Sequence, residues 1–284
     1  MSYQSRTIAE LLADLCSFGA WLSDRGIDYR RTRIGDYVRF YQDIVKQPPA
    51  PASLDELNRA IYTLRGVDEL LWIFRGLQVQ EPPGYLEPLR ESIGGLPFTR
   101  DDGTNRRARD RQLELRIASY FLQTGFPVDL SQAADLTLEV DGATIQVECK
   151  RLVSHRKVQQ RLREAARQLR KRYQKRRGSL GLVALDVSML LRPEQGLVTA
   201  SSGNYSRSRI MVELNQFIDD FDISAPFRGD KKLLGVWVQT LTPVLQLAEQ
   251  QPATIFSSIN YQPVPLTGRK AEIFKLLEPA FQHS

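Results

Sequence analysis

The stretch from Asp135 to Lys150 constrains the fold more than any other part of the chain. Leu136, Leu138 and Val140 alternate with polar residues, Ile145, Val147 and Cys149 do the same, and Asp141-Gly142 stands between the two runs. Alternation with period two marks a strand, and Asp-Gly between two such runs marks a hairpin with a two-residue type I′ turn. So short a loop fixes the register: Val140 faces Ala143, and Asp135 faces Glu148. Asp135, Thr137, Glu139, Thr144, Gln146, Glu148 and Lys150 then share one face, and the apolar residues with Ala143 and Cys149 share the other. One face is polar and the other apolar.

Directly opposed side chains have Cβ atoms about 5 Å apart, where like charges destabilise a sheet. The Asp135/Glu148 pair therefore needs compensation. A divalent cation would supply it, because hard oxygen ligands at that separation suit Mg2+, and Lys150 projects beside the same spot. A wet polar face with Lys150 balancing the charge would supply it without a metal.

The charge is unevenly spread. Residues 106–177 carry 18 basic and 8 acidic side chains, a local +10, against −3 for residues 1–105 and −1 for residues 178–284. The densest part, Lys150 to Arg177, contains Glu164 as its only acid. Such a block attracts a polyanion through counterion release, and nucleic acid is the expected partner. Val158, Leu162, Ala165, Leu169 and Tyr173 recur within it at helical spacing, which predicts a folded helix over Ser154–Arg177 docked on a core. Gly178 or Gly181 closes it.

Before the hairpin the pattern is helical. Ile8 to Val45 reads as helix broken at Gly35, the proline-rich segment from Gln47 to Ala52 as a stiff linker, and Ser53 with Glu56 as a capping box opening a helix that runs through Phe74. The polar segment Thr99–Asn105 reads as a boundary loop, so a mainly helical N-terminal domain is placed at 1–103 and a second domain at 104–284. In the second, a helix carrying Leu113, Ile117, Tyr120 and Phe121 ends near Gly125, and Phe126–Leu130 is a short strand. After the basic helix, Leu182–Leu191 and Leu233–Leu241 read as strands and Ile210–Phe221 as a helix. Asp186, inside an apolar strand, needs a partner, which the basic helix could supply.

The ordered elements resemble the PD-(D/E)XK nuclease superfamily with its restriction-endonuclease-like fold. Ala134-Asp135-Leu136 is similar to the first acid signature without its proline, Glu148-Cys149-Lys150 matches the second, and Glu114 occupies the place of a helical glutamate. The resemblance covers roughly residues 106–191 and implies an α/β fold with an αβββαβ core. It further implies that Asp135 and Glu148 hold Mg2+ or Mn2+ with the Cys149 carbonyl, that Lys150 orients or activates water, and that Glu114 binds a second metal or holds the first through water. The activity implied is hydrolysis of phosphodiester bonds, DNA before RNA. A noncatalytic nucleic-acid-binding module of the same fold, with its N-terminal helices binding protein, is the competing reading.

Arg156, Lys157, Arg163, Arg167 and Arg170 are the expected nucleic-acid contacts on the basic helix. Gln159, Gln160 and Gln168 lie there too, open to reading as a solvated helix face or as site residues, and His155 reads as a capping or surface residue. Cys149 points to the apolar side with no histidine next to it and reads as core, not nucleophile. Cys16 and Cys149 have neither disulfide nor zinc spacing, no apolar run approaches the length of a membrane span, and Glu10 and Asp14 interrupt any leader. A cytoplasmic protein with no membrane partner is expected, with room for a homodimer contact or a protein partner through the N-terminal helices.

Overall fold

The computed structural model describes residues 7–46, 53–97, 106–176, 178–191, 199–200, 203–246, 251–263 and 265–282. The expected linker at 47–52 and boundary loop at 99–105 lie outside these except for their flanks. The chain is a mixed α/β protein: helices cover both faces of one seven-stranded sheet.

Among the described residues five α-helices precede the first strand, four of them before residue 100. α1 (Ile8–Ser23) and α3 (Leu54–Val79) each open with a complete capping box, Thr7 with Glu10 and Ser53 with Glu56. Each box satisfies orphan N–H groups at the helix start. The break expected at Gly35 lies earlier. α1 ends at Ser23, a 3₁₀ turn spans Tyr29–Arg31, and Gly35 sits inside α2 (Arg33–Lys46). Glycine is needed there because a Cβ would lie 2.5 Å from the Arg30 carbonyl oxygen. α4 (Leu86–Ile93) was not anticipated; its eight residues are too few for a clear periodic signal.

From α5 (Arg107–Gln123) the order is helix, three strands, helix, strand: β1 (Val128–Asp129), β2 (Leu136–Val140), β3 (Ala143–Arg151), α6 (Val158–Lys175) and β4 (Leu180–Asp186). The hairpin register is the expected one, from Val140 opposite Ala143 to Leu136 opposite Val147. Asp141 and Gly142 both have positive φ, 47° and 67°, as a type I′ turn requires. β3 and β4 run parallel, as do β4 and β6 (Leu233–Gln246) and the short β5 (Thr199–Ala200) with β6, while β7 (Gln251–Tyr261) returns antiparallel to β6.

β4 is shorter than the expected 182–191 strand. Asp186 accepts the backbone N–H and hydroxyl of Ser188, and this Asx turn leads into the short helix α7 (Ser188–Leu191). α8 (Gly203–Asp220) extends the helix expected at 210–221, and α9 (Arg269–Gln282) closes the described chain.

Alternation in the central strands divides the core. Leu182 and Ala184 face a cluster that includes α1, α3, α5 and α9, whereas Val183 and Leu185 face α6 and α8. The first cluster draws buried residues from both sides of residues 103/104, from Leu11 to Phe281. Ion pairs join the two sides as well. Glu69 on α3 pairs with Arg116 on α5 (2.8 Å) and Arg151 on β3 (2.9 Å), and Asp186 on β4 meets the same two arginines at 3.2 Å. All four side chains are at most 4% exposed. Asp186 is therefore partnered from α5 and β3, not from the basic helix as expected. Burial alone would raise its pKa, but Arg116 and Arg151 hold it well below the usual carboxylate range.

Among the described residues no helix is long and apolar enough to cross a membrane.

Candidate active site

The hairpin delivers two carboxylates to one point. Asp135, immediately before β2, accepts the Cys149 backbone N–H through Oδ2 at 2.7 Å, which anchors it against the end of β3. Lys150 Nζ lies 2.9 Å from Glu148 Oε2 and 3.8 Å from Asp135 Oδ2. Asp135, Glu148 and Lys150 thus converge as the register implied.

The polar face of the hairpin is not wet. Thr137, Gln146 and Glu148 are buried because α6 lies across them, with Val158, Leu162, Ala165, Leu169 and Tyr173 buried as the helical stripe predicted. α6 also brings charge to that face. Arg172 closes on Glu148, and Arg176 reaches Glu139 at 3.0 Å. Part of the positive charge read from the sequence is therefore consumed internally. Burial lowers the pKa of Arg172, against the pull of Asp135 and Glu114.

Glu114 sits on α5 with its carboxylate 2.6 Å from Arg111. Burial, then the negative charge of Asp135, raises its pKa to about 7 even though Arg111 opposes the shift. Asp110, one turn earlier, is also raised by burial, although Arg151, Arg161, Lys150 and Arg106 all draw it down. Cys149 is buried in the core as expected, and burial pushes its thiol well above the ordinary range, which suits packing and not nucleophilic attack.

Glu148 Oε2 and Asp135 Oδ2 already share a cationic neighbour, the Lys150 ammonium, so this donor pair fits a hard cation. Among the described residues no three histidine, cysteine, aspartate or glutamate side chains gather into a metal-binding group. Two carboxylates are enough for Mg2+, which keeps waters and takes substrate phosphate oxygens for the rest of its shell.

The expected nucleic-acid contacts are all on the surface. Arg156, Lys157, Arg163, Arg167 and Arg170 are exposed. Arg170 is tied to the Pro226 carbonyl (2.7 Å) and lies 3.7 Å from Asp230. His155 stacks on Phe221, a surface role as expected, and Gln159 donates to the Phe221 carbonyl. Gln168 differs from a solvated glutamine in that its Oε1 is buried with no hydrogen-bond partner among the described residues.

A cleft of about 520 Å³ opens beside Glu114 and Asp110, between the start of α5 and the start of α6, and five arginines line it: Arg106, Arg107, Arg111, Arg151 and Arg161. The sequence reading missed these arginines, along with Asp110 and Arg172. Asp110 and Glu114 stand four residues apart, hence on one helix face, and that spacing is the signal that could have found the pair.

The chain matches no protein-family model, no curated protein and no solved structure.

Proposed function

We propose that this protein is a metal-dependent phosphodiesterase acting on nucleic acid, DNA before RNA, with a restriction-endonuclease-like core formed by α5, β1–β3, α6 and β4. The observation that carries the reading is the convergence of Asp135 and Glu148 on Lys150 at the end of β3. Ligand sites in sheets with parallel strands gather at the carboxyl ends of those strands, and β3 and β4 both end there.

Asp135 and Glu148 would hold Mg2+ or Mn2+, helped by the Cys149 carbonyl. The bound cation supplies Lewis-acid polarisation of a nonbridging phosphate oxygen and a water of lowered pKa. Asp135, fixed by the Cys149 N–H, keeps its carboxylate in place without reorganisation. Lys150 orients the attacking water and places positive charge beside the phosphate. Glu114, with a pKa of about 7, is matched to proton transfer near neutrality.

The competing reading, a noncatalytic nucleic-acid-binding module, is favoured by the pairs Arg172–Glu148 and Arg111–Glu114, which offset carboxylate charge from within the chain. The two are separated by incubating purified protein with supercoiled plasmid and with RNA in Mg2+, in Mn2+ and in chelator. Cation-dependent cleavage supports the phosphodiesterase. Cation-independent binding with every substrate intact supports the module.

A further inference from the structure

We infer that the arginine-lined cleft is a subsite for a single nucleotide unit of the substrate strand, held by its phosphate, and that this cleft, not the outer face of α6, sets where the strand meets Lys150. The identity of the ligand rests on the phosphodiesterase reading.

Size is the first ground. Small-molecule sites fall at roughly 300–1,000 Å³, and the cleft, at about 520 Å³, is of mononucleotide size. A duplex does not fit such a space, whereas one unit of a single strand does.

Chemistry is the second. Guanidinium forks match phosphate oxygens in pairs, so several arginines around one concavity make a phosphate site of a kind that scattered surface lysines do not. These arginines are also held in place. Glu91 on α4 bonds Arg111 at 3.0 Å and also grips Arg107, while Glu69 and Asp186 fix Arg151 from behind. Preset donors cost less ordering entropy when the ligand arrives. Arg106, at the exposed rim, has its guanidinium in no hydrogen bond or ion pair among the described residues beyond the attraction of Asp110.

Position is the third. Arg151 on the cleft wall directly follows Lys150 on β3, and Glu114 on the same wall feels the charge of Asp135, so a nucleotide seated there lies near the end of β3 that carries Lys150. Arg163 and Arg167 stand instead on the exposed side of α6, where they act as point charges for a passing polyanion.

The test uses the full chain and two double variants, Arg106→Ala/Arg161→Ala in the cleft and Arg163→Ala/Arg167→Ala on the outer face. Among the described residues the ion pair of Arg161 is the exposed one with Glu164, and its attraction to Asp110 is shared with Arg151, Lys150 and Arg106, so its loss leaves the fold intact. The probes are a fluorescein-labelled single-stranded DNA of about six nucleotides, read by anisotropy, and adenosine monophosphate as competitor. The cleft variant should bind the short strand about tenfold more weakly and lose displacement by adenosine monophosphate, a change of roughly 1.4 kcal/mol. The outer-face variant should weaken short-strand binding no more than about threefold, through lost general attraction, and keep displacement by adenosine monophosphate. Short-strand affinity within twofold of wild type in the cleft variant overturns the subsite. If no protein cleaves any substrate yet the cleft variant still loses the short strand, the subsite stands and the phosphodiesterase reading falls.

Discussion

Arg172 and Glu148 form an ion pair at the floor of the candidate site, with Glu148 fully buried and Arg172 reaching it from the far end of the basic helix. Glu148 thereby has two cationic partners, Arg172 and Lys150. A carboxylate so held shares its oxygens with the protein's own cations.

Substituting Arg172→Gln therefore has two expected effects of opposite kind. Stability should drop by about 1–3 kcal/mol, because one ion-pair partner of a buried carboxylate is lost while Lys150 remains. Affinity for Mg2+ should rise, since an internal competitor is removed. Denaturant titration and calorimetric Mg2+ binding check the two separately.

Glu69→Ala should cost more, about 3–5 kcal/mol, because it leaves Arg116 and Arg151 buried with Asp186 as their only acid in the cluster. For the same reason residues 104–284 expressed alone should not unfold cooperatively. A sharp denaturation transition in that fragment, close to that of the full chain, would show that α3 is dispensable.

Glu114 gives a pH dependence of defined sign. Its folded pKa, about 7, lies above the ordinary 4.5, so the folded chain holds this proton more tightly than the unfolded one. Its contribution to stability is full below about pH 4.5 and is lost as pH rises through 7, for a total of about 3 kcal/mol. Asp186 acts oppositely, and its depressed pKa removes stability only as the pH falls below the ordinary carboxylate range. Glu114→Gln should flatten the fall in stability between pH 5 and pH 8, read from unfolding midpoints at the two values. An unchanged slope would mean that the proton is held elsewhere.

The hairpin was legible because Asp141-Gly142 admits one register, and register alone decides which acids meet. The stripe from Val158 to Tyr173 was legible for a similar reason, since helical periodicity states which side is buried. Other features depend on contacts that no local pattern encodes. Arg172 reads as one more basic residue until α6 is laid across the hairpin, and the partners of Asp186 come from 70 residues upstream and 35 upstream in the chain. The cleft was missed because its arginines come from α5, β3 and α6, which only the tertiary fold brings together.

Charge reversal of Arg163 and Arg167 together should lower the salt slope of long-duplex binding by about two, one phosphate contact for each residue, with equal loss across sequences. Arg170→Glu should add less, because its guanidinium is already engaged with Pro226. Filter binding at several salt concentrations gives both values.

The most direct test of the site is cleavage by Asp135→Asn beside wild type, in Mg2+, with nucleic-acid binding measured on the same preparations. Asparagine keeps the shape and removes the charge that would hold the cation, and it lowers repulsion toward the phosphate backbone. Wild type should cleave only with the cation present, and Asp135→Asn should lose cleavage while binding as tightly or more tightly. Equal, nonzero cleavage by the two proteins would place the activity away from Asp135, and the proposed site would be wrong.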